Sequence, residues 1–286
     1  MRNWLAVAAV ILGVPTAPAF ADRDHDPNSG APLPPHRHET PSPITDHFYI
    51  RATFYDPQAR TNLRVDPSQA VPGVTGTPVN GERDLGLPDR LHQGRVEFMF
   101  RLRERSQVRV DYFEADRSGS RVLGNDVVFG NQTFAAGQLT QTSLDWRQFD
   151  ITYTYSLVRN DRLEIATGLG VYFLQVDAIG QVLAQNQRQE VTGASPFPAP
   201  SLDLTWRLSS RWAATVRGAY LKTALSGFRG WYADSHEDIQ YRWNPNFAIG
   251  LGYASIRTSL TRHGGDFPGA FAMSISGPEA FVRFSF

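Results

Sequence analysis

Asp234 and His236 stand two residues apart, so on an extended strand their side chains share a face. An Asp–His pair placed this way can draw a proton from water and act as a general base. Glu237 and Asp238 follow at once, and Asp84 and Asp89 stand in the first expected loop. A nucleophilic mechanism needs a serine beside a histidine. Ser235 adjoins His236 but points to the opposite face of a strand, Ser259 and His263 are four apart, and His47 stands near the start of the first strand. His25, His36 and His38 belong to a segment with no fixed geometry for a metal. The chain has no cysteine, which excludes thiolate metal sites and thiol catalysis. It carries no Gly-rich phosphate loop, HExxH helix or calcium-loop pattern. The reading is therefore non-enzymatic and free of cofactor and metal, with Asp234 and His236 as the residues to watch.

The elements that carry these groups show period two. Val96, Phe98, Phe100 and Leu102 alternate with Glu97 and Arg101, and Phe149 to Leu157 and Leu202 to Leu208 repeat the pattern. Alternation means one apolar and one polar face, as in a soluble sandwich or a barrel in lipid with a polar lumen. Connection lengths decide for the barrel. Arg103–Ser106, Arg159–Arg162, Ser209–Arg211 and Asn244–Asn246 are short turns, while the stretches near 66–90, 117–141, 178–196, 225–233 and 263–269 read as longer loops at the other end. Four turns with both termini on the same side predict ten strands, near 46–65, 91–103, 107–117, 142–157, 163–177, 197–208, 211–224, 234–243, 247–262 and 270–286, with eight as the alternative. The eighth carries the charged run Asp234 to Asp238, and on the third Glu114 falls on the lipid side. Alternating Gly168, Gly170, Gly250 and Gly252 read as room for close inward packing.

Facing the lumen, this assignment places Arg51, Arg95, Glu97, Arg101, Arg109, Asp111, Asp150, Glu164, Asp203, Arg207, Arg217 and Arg283. Charges of both signs in a narrow barrel pair and plug it, Arg supplying bidentate bonds to carboxylates. The competing expectation is a narrow, water-filled path for a small solute, with arginine in excess and a mild anion preference.

At the start, Met1-Arg2-Asn3, an apolar run from Trp4 to about Val14 and an Ala19-x-Ala21 ending read as an export signal spanning 1–21. Residues 22–44, rich in Pro, Asp and His, read as a disordered linker, and 45–286 as the barrel. Net charge is zero, so no global field points to nucleic acid. A mean hydropathy of −0.33 fits a barrel in which alternate residues face lipid.

Ala280, Val282, Phe284 and Phe286 form an apolar stripe ending on an aromatic residue. This resembles the last strand of proteins inserted by the bacterial barrel-assembly machinery, and it implies that machinery as a partner. From Thr45 to Phe286 the pattern resembles the small outer-membrane barrels of proteobacteria, including uncharacterised members. The resemblance implies a Gram-negative outer membrane with lipid and lipopolysaccharide as surroundings, and it implies no activity. The Asp234–His236 pair in a ten-stranded barrel also resembles the omptin proteases, and lipid A deacylases use Ser and His on small barrels. An outer-membrane hydrolase is thus the alternative function, and a recognition or adhesion barrel acting through its outer loops is another.

Overall fold

A computed structural model describes residues 41–68, 74–182, 185–225, 228–264 and 268–286. The expected export signal and residues 22–40 of the expected linker lie outside them. In chain order the elements are β1 (Phe48–Tyr55), β2 (Gln58–Val65), β3 (Val79–Asn80), α1 (Gly81–Leu85), β4 (Gln93–Arg103), β5 (Ser106–Val122), β6 (Val127–Phe129), β7 (Gln132–Phe134), β8 (Leu139–Arg159), β9 (Leu163–Val182), β10 (Gln187–Arg207), β11 (Trp212–Leu225), β12 (Phe228–Asn244), β13 (Phe247–Arg262) and β14 (Gly269–Ser285). Wall strands pair antiparallel with their neighbours and β14 returns to β1, so the described residues close a barrel of ten strands rather than eight.

The first wall strand is two pieces. Pro57, with no N–H to donate, interrupts it between β1 and β2. β14 spans the break, pairing with β1 through Glu279–Ser285 and with β2 through Gly269–Ser276. On its other edge β1 pairs with β4, whereas β2 pairs with the two residues of β3. The short turns fall where expected. In one of them Asn160 Oδ1 accepts from the backbone N–H groups of Arg162 and Leu163, both at 2.9 Å.

Several stretches expected as outer loops are strand instead. β5 runs to Val122, β8 begins at Leu139, and β9 and β10 pair from Val182 and Gln187 downward. Those segments are mostly polar or small, so the sustained hydrophobic alternation that marks a lipid-embedded strand is missing. Their backbone groups pair all the same, and the wall continues beyond the membrane.

Burial along β8 shows the inside-out sorting. Gln148, Asp150, Thr152, Thr154 and Ser156 are buried, while Phe149, Ile151, Tyr153, Tyr155 and Leu157 between them are exposed. Around the barrel the exposed belt includes Leu251, Trp243 and Trp206. A continuous apolar belt of this kind is stable only where lipid covers it. The stretch Phe149–Leu157, at ~3.3 Å per residue and ~40° of tilt, covers roughly 20 Å of depth, close to the ~25 Å of membrane barrels.

Above the belt the outward face turns charged. Glu114 is outward, as the alternation predicts, and accepts from Arg147 and from the Tyr112 hydroxyl, each at 2.8 Å. One level higher, Asp116, Asp145 and Asp177 lie directly opposite one another across β5, β8 and β9. Lost hydration first, and the facing Asp116 second, push the Asp145 carboxyl above its ordinary range. A carboxyl raised in the folded state leaves stability intact below its ordinary pKa and removes it as pH rises. Asp145→Asn should therefore strengthen the fold at pH 7 by about 0.2–1 kcal/mol. Urea titrations in lipid vesicles should show that gain at pH 7 and its disappearance at pH 3.

Candidate functional site

The end of the barrel bearing the short turns is stoppered by the chain itself. Ser42, Pro43 and Ile44, which the sequence reading gave to a disordered linker, are buried there, Ile44 being only 2% exposed. Asp46 accepts from Arg242 at 3.0 and 2.6 Å, from Arg283 at 2.6 Å and from the Ser285 hydroxyl at 2.8 Å. Arg101 and Arg159 donate to the carbonyls of Asp46 and Ile44, both at 3.2 Å. Residues 41–44 are placed by these bonds rather than left as linker, because composition does not register four arginines at this end of the barrel.

Inward positions above the stopper form a network of ion pairs. Arg101 grips Glu164 with two nitrogens at 2.8 and 3.0 Å, and Ser156 donates to the same carboxylate at 2.5 Å. Arg109 pairs with Asp203 at 2.7 Å. Arg217 reaches Glu97 at 2.5 Å, and Tyr49 donates to Glu97 as well. Arg51 bonds Asp238 at 2.7 Å and also Glu279, with its guanidinium 3.6 Å from the centre of the Phe281 ring. Arg95 bonds both oxygens of Asp111 at 2.8 Å, and Asp150 stands opposite Asp111 in the β5–β8 register. Of the residues predicted to face the lumen, the structure brings all but Arg207 into this region. Arg207 is half-buried at the turn end of β10.

Asp234 and His236 do share the inward face, with Nε2 of His236 3.1 Å from Asp234 Oδ1. Nδ1 of His236 lies 3.6 Å from Glu279, and Arg95 lies 3.8 Å from Asp234. All four are buried. Asp84 and Asp89 are not brought to them by any hydrogen bond or ion pair among the described residues. Asp84 instead accepts from Asn80 N at the start of α1, and the Arg83 guanidinium beside it holds its carboxyl below the usual range. Among the described residues no group of three or more His, Asp or Glu is arranged to hold a metal.

Sequence reasoning missed Asp46, Arg242, Asp238 and Glu279 as members of the network. Three of these were findable: Asp238 and Arg242 share the parity of Asp234 and His236, and Glu279 that of Arg283. Asp46 precedes the first strand and carries no such signal. Adding these residues and Asp234 supplies each arginine of the network with a carboxylate. The arginine excess expected from the sequence, and with it the reason for anion preference, disappears.

Over the network lies an apolar layer containing Tyr55, Phe113, Trp146, Tyr172 and Tyr232. Phe197 stacks on Tyr172 with ring centres 5.6 Å apart and meets Tyr232 edge-on at 4.9 Å. The Tyr55 hydroxyl donates to Ala254 O at 3.0 Å and that of Tyr232 to Asp234 at 3.3 Å, so these two rings keep their polar tips paired. The inward glycines make room as predicted: a Cβ on Gly250 would collide with the Phe281 ring.

At the loop end a second apolar cluster joins Leu63, Leu85, Leu87, Phe129, Phe134 and Leu144. It sits α1 and the β6–β7 hairpin against the wall. Asn80 caps α1 by accepting from Arg83 N at 2.7 Å, and Gly86 ends it at φ 74°, a conformation glycine takes without strain. Arg117 ties α1 down through Glu82 at 2.6 Å and through Thr61. Beside this cap a cavity of roughly 460 Å³ remains open.

No protein-family model matches the chain, and no curated protein matches it. Solved structures do. The outer membrane protease OmpT from Escherichia coli is 11% identical at a TM-score of 0.54, covering 84% of this chain and 96% of that one. The transport unit of the autotransporter AIDA-I, also from Escherichia coli, is 8% identical at 0.39, covering 91% and 95%. At this identity the first likeness shows the fold alone.

Removing one partner of a buried, bonded pair leaves the other charge stranded. Arg101→Met should lower stability by about 3–5 kcal/mol, and adding Glu164→Gln should recover part of the loss. Urea unfolding of the two single variants and the double variant measures it. Additive losses would mean that the pair is not coupled.

Proposed function

We propose that this chain is a non-enzymatic barrel of the bacterial outer membrane with a closed lumen, serving as a structural wall element rather than a conducting pore. One observation carries the reading: the interior is filled without a break from the Asp46 stopper, through the ion-pair network, to the aromatic layer. The cavities left inside the network measure only about 20 and 30 Å³, each about enough for a single water. Ten strands leave little interior beyond what side chains fill, and here large paired side chains occupy it.

In this reading the apolar belt meets lipid, and the charged rim above it meets the polar zone of lipopolysaccharide. β14, ending at Phe286, is the strand engaged by the barrel-assembly machinery, and the N-terminal signal accounts for export. The hydrolase alternative is supported less well. A general base must reach a substrate, whereas His236 is buried beneath Tyr232 with Asp234 and Glu279 as its neighbours. The likeness to OmpT shows the fold alone and carries no activity to this chain.

The test is conductance of the refolded protein in a planar bilayer under a salt gradient. A silent bilayer, with the barrel shown to be folded by its heat-modifiable migration on a gel, is the expected result. Steady conductance with ion selectivity would overturn the closed reading. Asp46→Ala, which frees Arg242 and Arg283 at the turn end, should also stay silent, because the network and the aromatic layer close the barrel without it.

A further inference from the structure

The inward face changes character along the barrel. Near the turns it is charged and filled, and beyond the aromatic layer it is apolar, with α1 and the β6–β7 hairpin packed on one side and a cavity beside them. The roughly 460 Å³ cavity at the loop end has Phe197 and Tyr232 on its floor, with Leu63, Leu221, Leu260 and Phe271 in its walls. The lumen of a membrane barrel is ordinarily polar because water fills it. Water gains few partners here. Of the hydroxyls on the lining, that of Thr258 already donates to the Trp231 carbonyl at 3.3 Å. A pocket so largely apolar in its lining suits an apolar guest, and the volume lies within the ~300–1,000 Å³ typical of small-molecule sites.

The chemistry of the guest follows from what the cavity lacks. No carboxylate lines it. Of its two arginines, Arg64 stands near the outer end of β2 and pairs with Asp66 at 3.1 Å, and Arg262 ends β13. The buried part of a ligand must therefore be uncharged hydrocarbon, with any polar end kept at the mouth. The floor is sealed: Phe197 packs on Tyr172 and Tyr232, and the Tyr232 hydroxyl is already committed to Asp234 below. A molecule entering from outside stops there. We propose that this cavity is a binding site for a hydrocarbon moiety, an acyl chain or a small aromatic ring system, captured from the outer side and not passed through the barrel.

The full chain, refolded into phosphatidylcholine nanodiscs, would be titrated with the fluorescent probe N-phenyl-1-naphthylamine. Two variants serve as comparisons: Leu221→Trp, which fills the cavity, and Leu251→Ala, on the outward face at 65% exposure. The expected result is a saturable signal near one probe per barrel, weakened at least ~tenfold in Leu221→Trp and unchanged in Leu251→Ala. Dodecanoate displacing the probe identifies the guest as a chain, and naphthalene alone displacing it identifies a ring. A signal that rises without saturation, equally in all three proteins, is partition into lipid and overturns the proposal. Should Leu221→Trp fail to show heat-modifiable migration, Leu260→Trp fills the opposite wall and takes its place.

Discussion

Hydrocarbon offers no partner to a peptide N–H or C=O, so a sheet that enters it must close on itself. Here closure rests on β14, whose inner half pairs with β1 and whose outer half pairs with β2 across the Pro57 interruption. Most other features follow from that ring of backbone bonds. Once the sheet is closed, period two leaves each side chain one of two destinations, lipid or lumen. Residues such as Phe149 and Ile151 go out, and Asp150 and Thr152 go in. The interior then receives a dense set of charges with little water to hydrate them, and each must find a counter-charge close by.

Burying ion pairs is not a source of large net stability, because desolvation consumes much of the Coulombic gain. What the pairs do supply is registration between distant strands. Arg101 of β4 holds Glu164 of β9, Arg109 of β5 holds Asp203 of β10, and Arg51 of β1 reaches Asp238 of β12. Each crosses the lumen rather than the adjacent ladder, so together they act as spokes. A one-residue slip of any wall strand would turn its spoke outward into lipid. The aromatic layer above them packs without charge, and the boundary between the two marks where the interior changes from ion pairs to rings.

Barrel, strand number, short turns and most of the lumen residues were legible because all of them are written in alternation and turn composition. Asp203 and Arg109 declare their facing through their neighbours Leu202, Leu204, Val108 and Val110. What could not be read follows two physical patterns. Strand extensions such as Leu139–Ser143 and Gln187–Gly193 lie above the lipid, where no apolar face is required, so a strand there resembles a loop in composition. Asp46 and Ile44 are fixed by three-dimensional convergence alone, as arginines from β12 and β14 meet a carboxylate that precedes β1. The Asp234–His236 pair illustrates a third situation. Its shared face was predictable, but the depth at which it sits depends on the aromatic layer, whose residues come from strands far apart in sequence.

The coupling of Asp46 to Arg283 and Ser285 has a temporal meaning. Its binding place is made by the last strand, and Phe48 and Phe286 exchange backbone hydrogen bonds beside it. Until β14 has come round to β1, the carboxylate lacks Arg283 and Ser285, two of the partners that hold it. The stopper is therefore complete only when the ring is, a latch whose last two bonds come from the strand that closes the sheet.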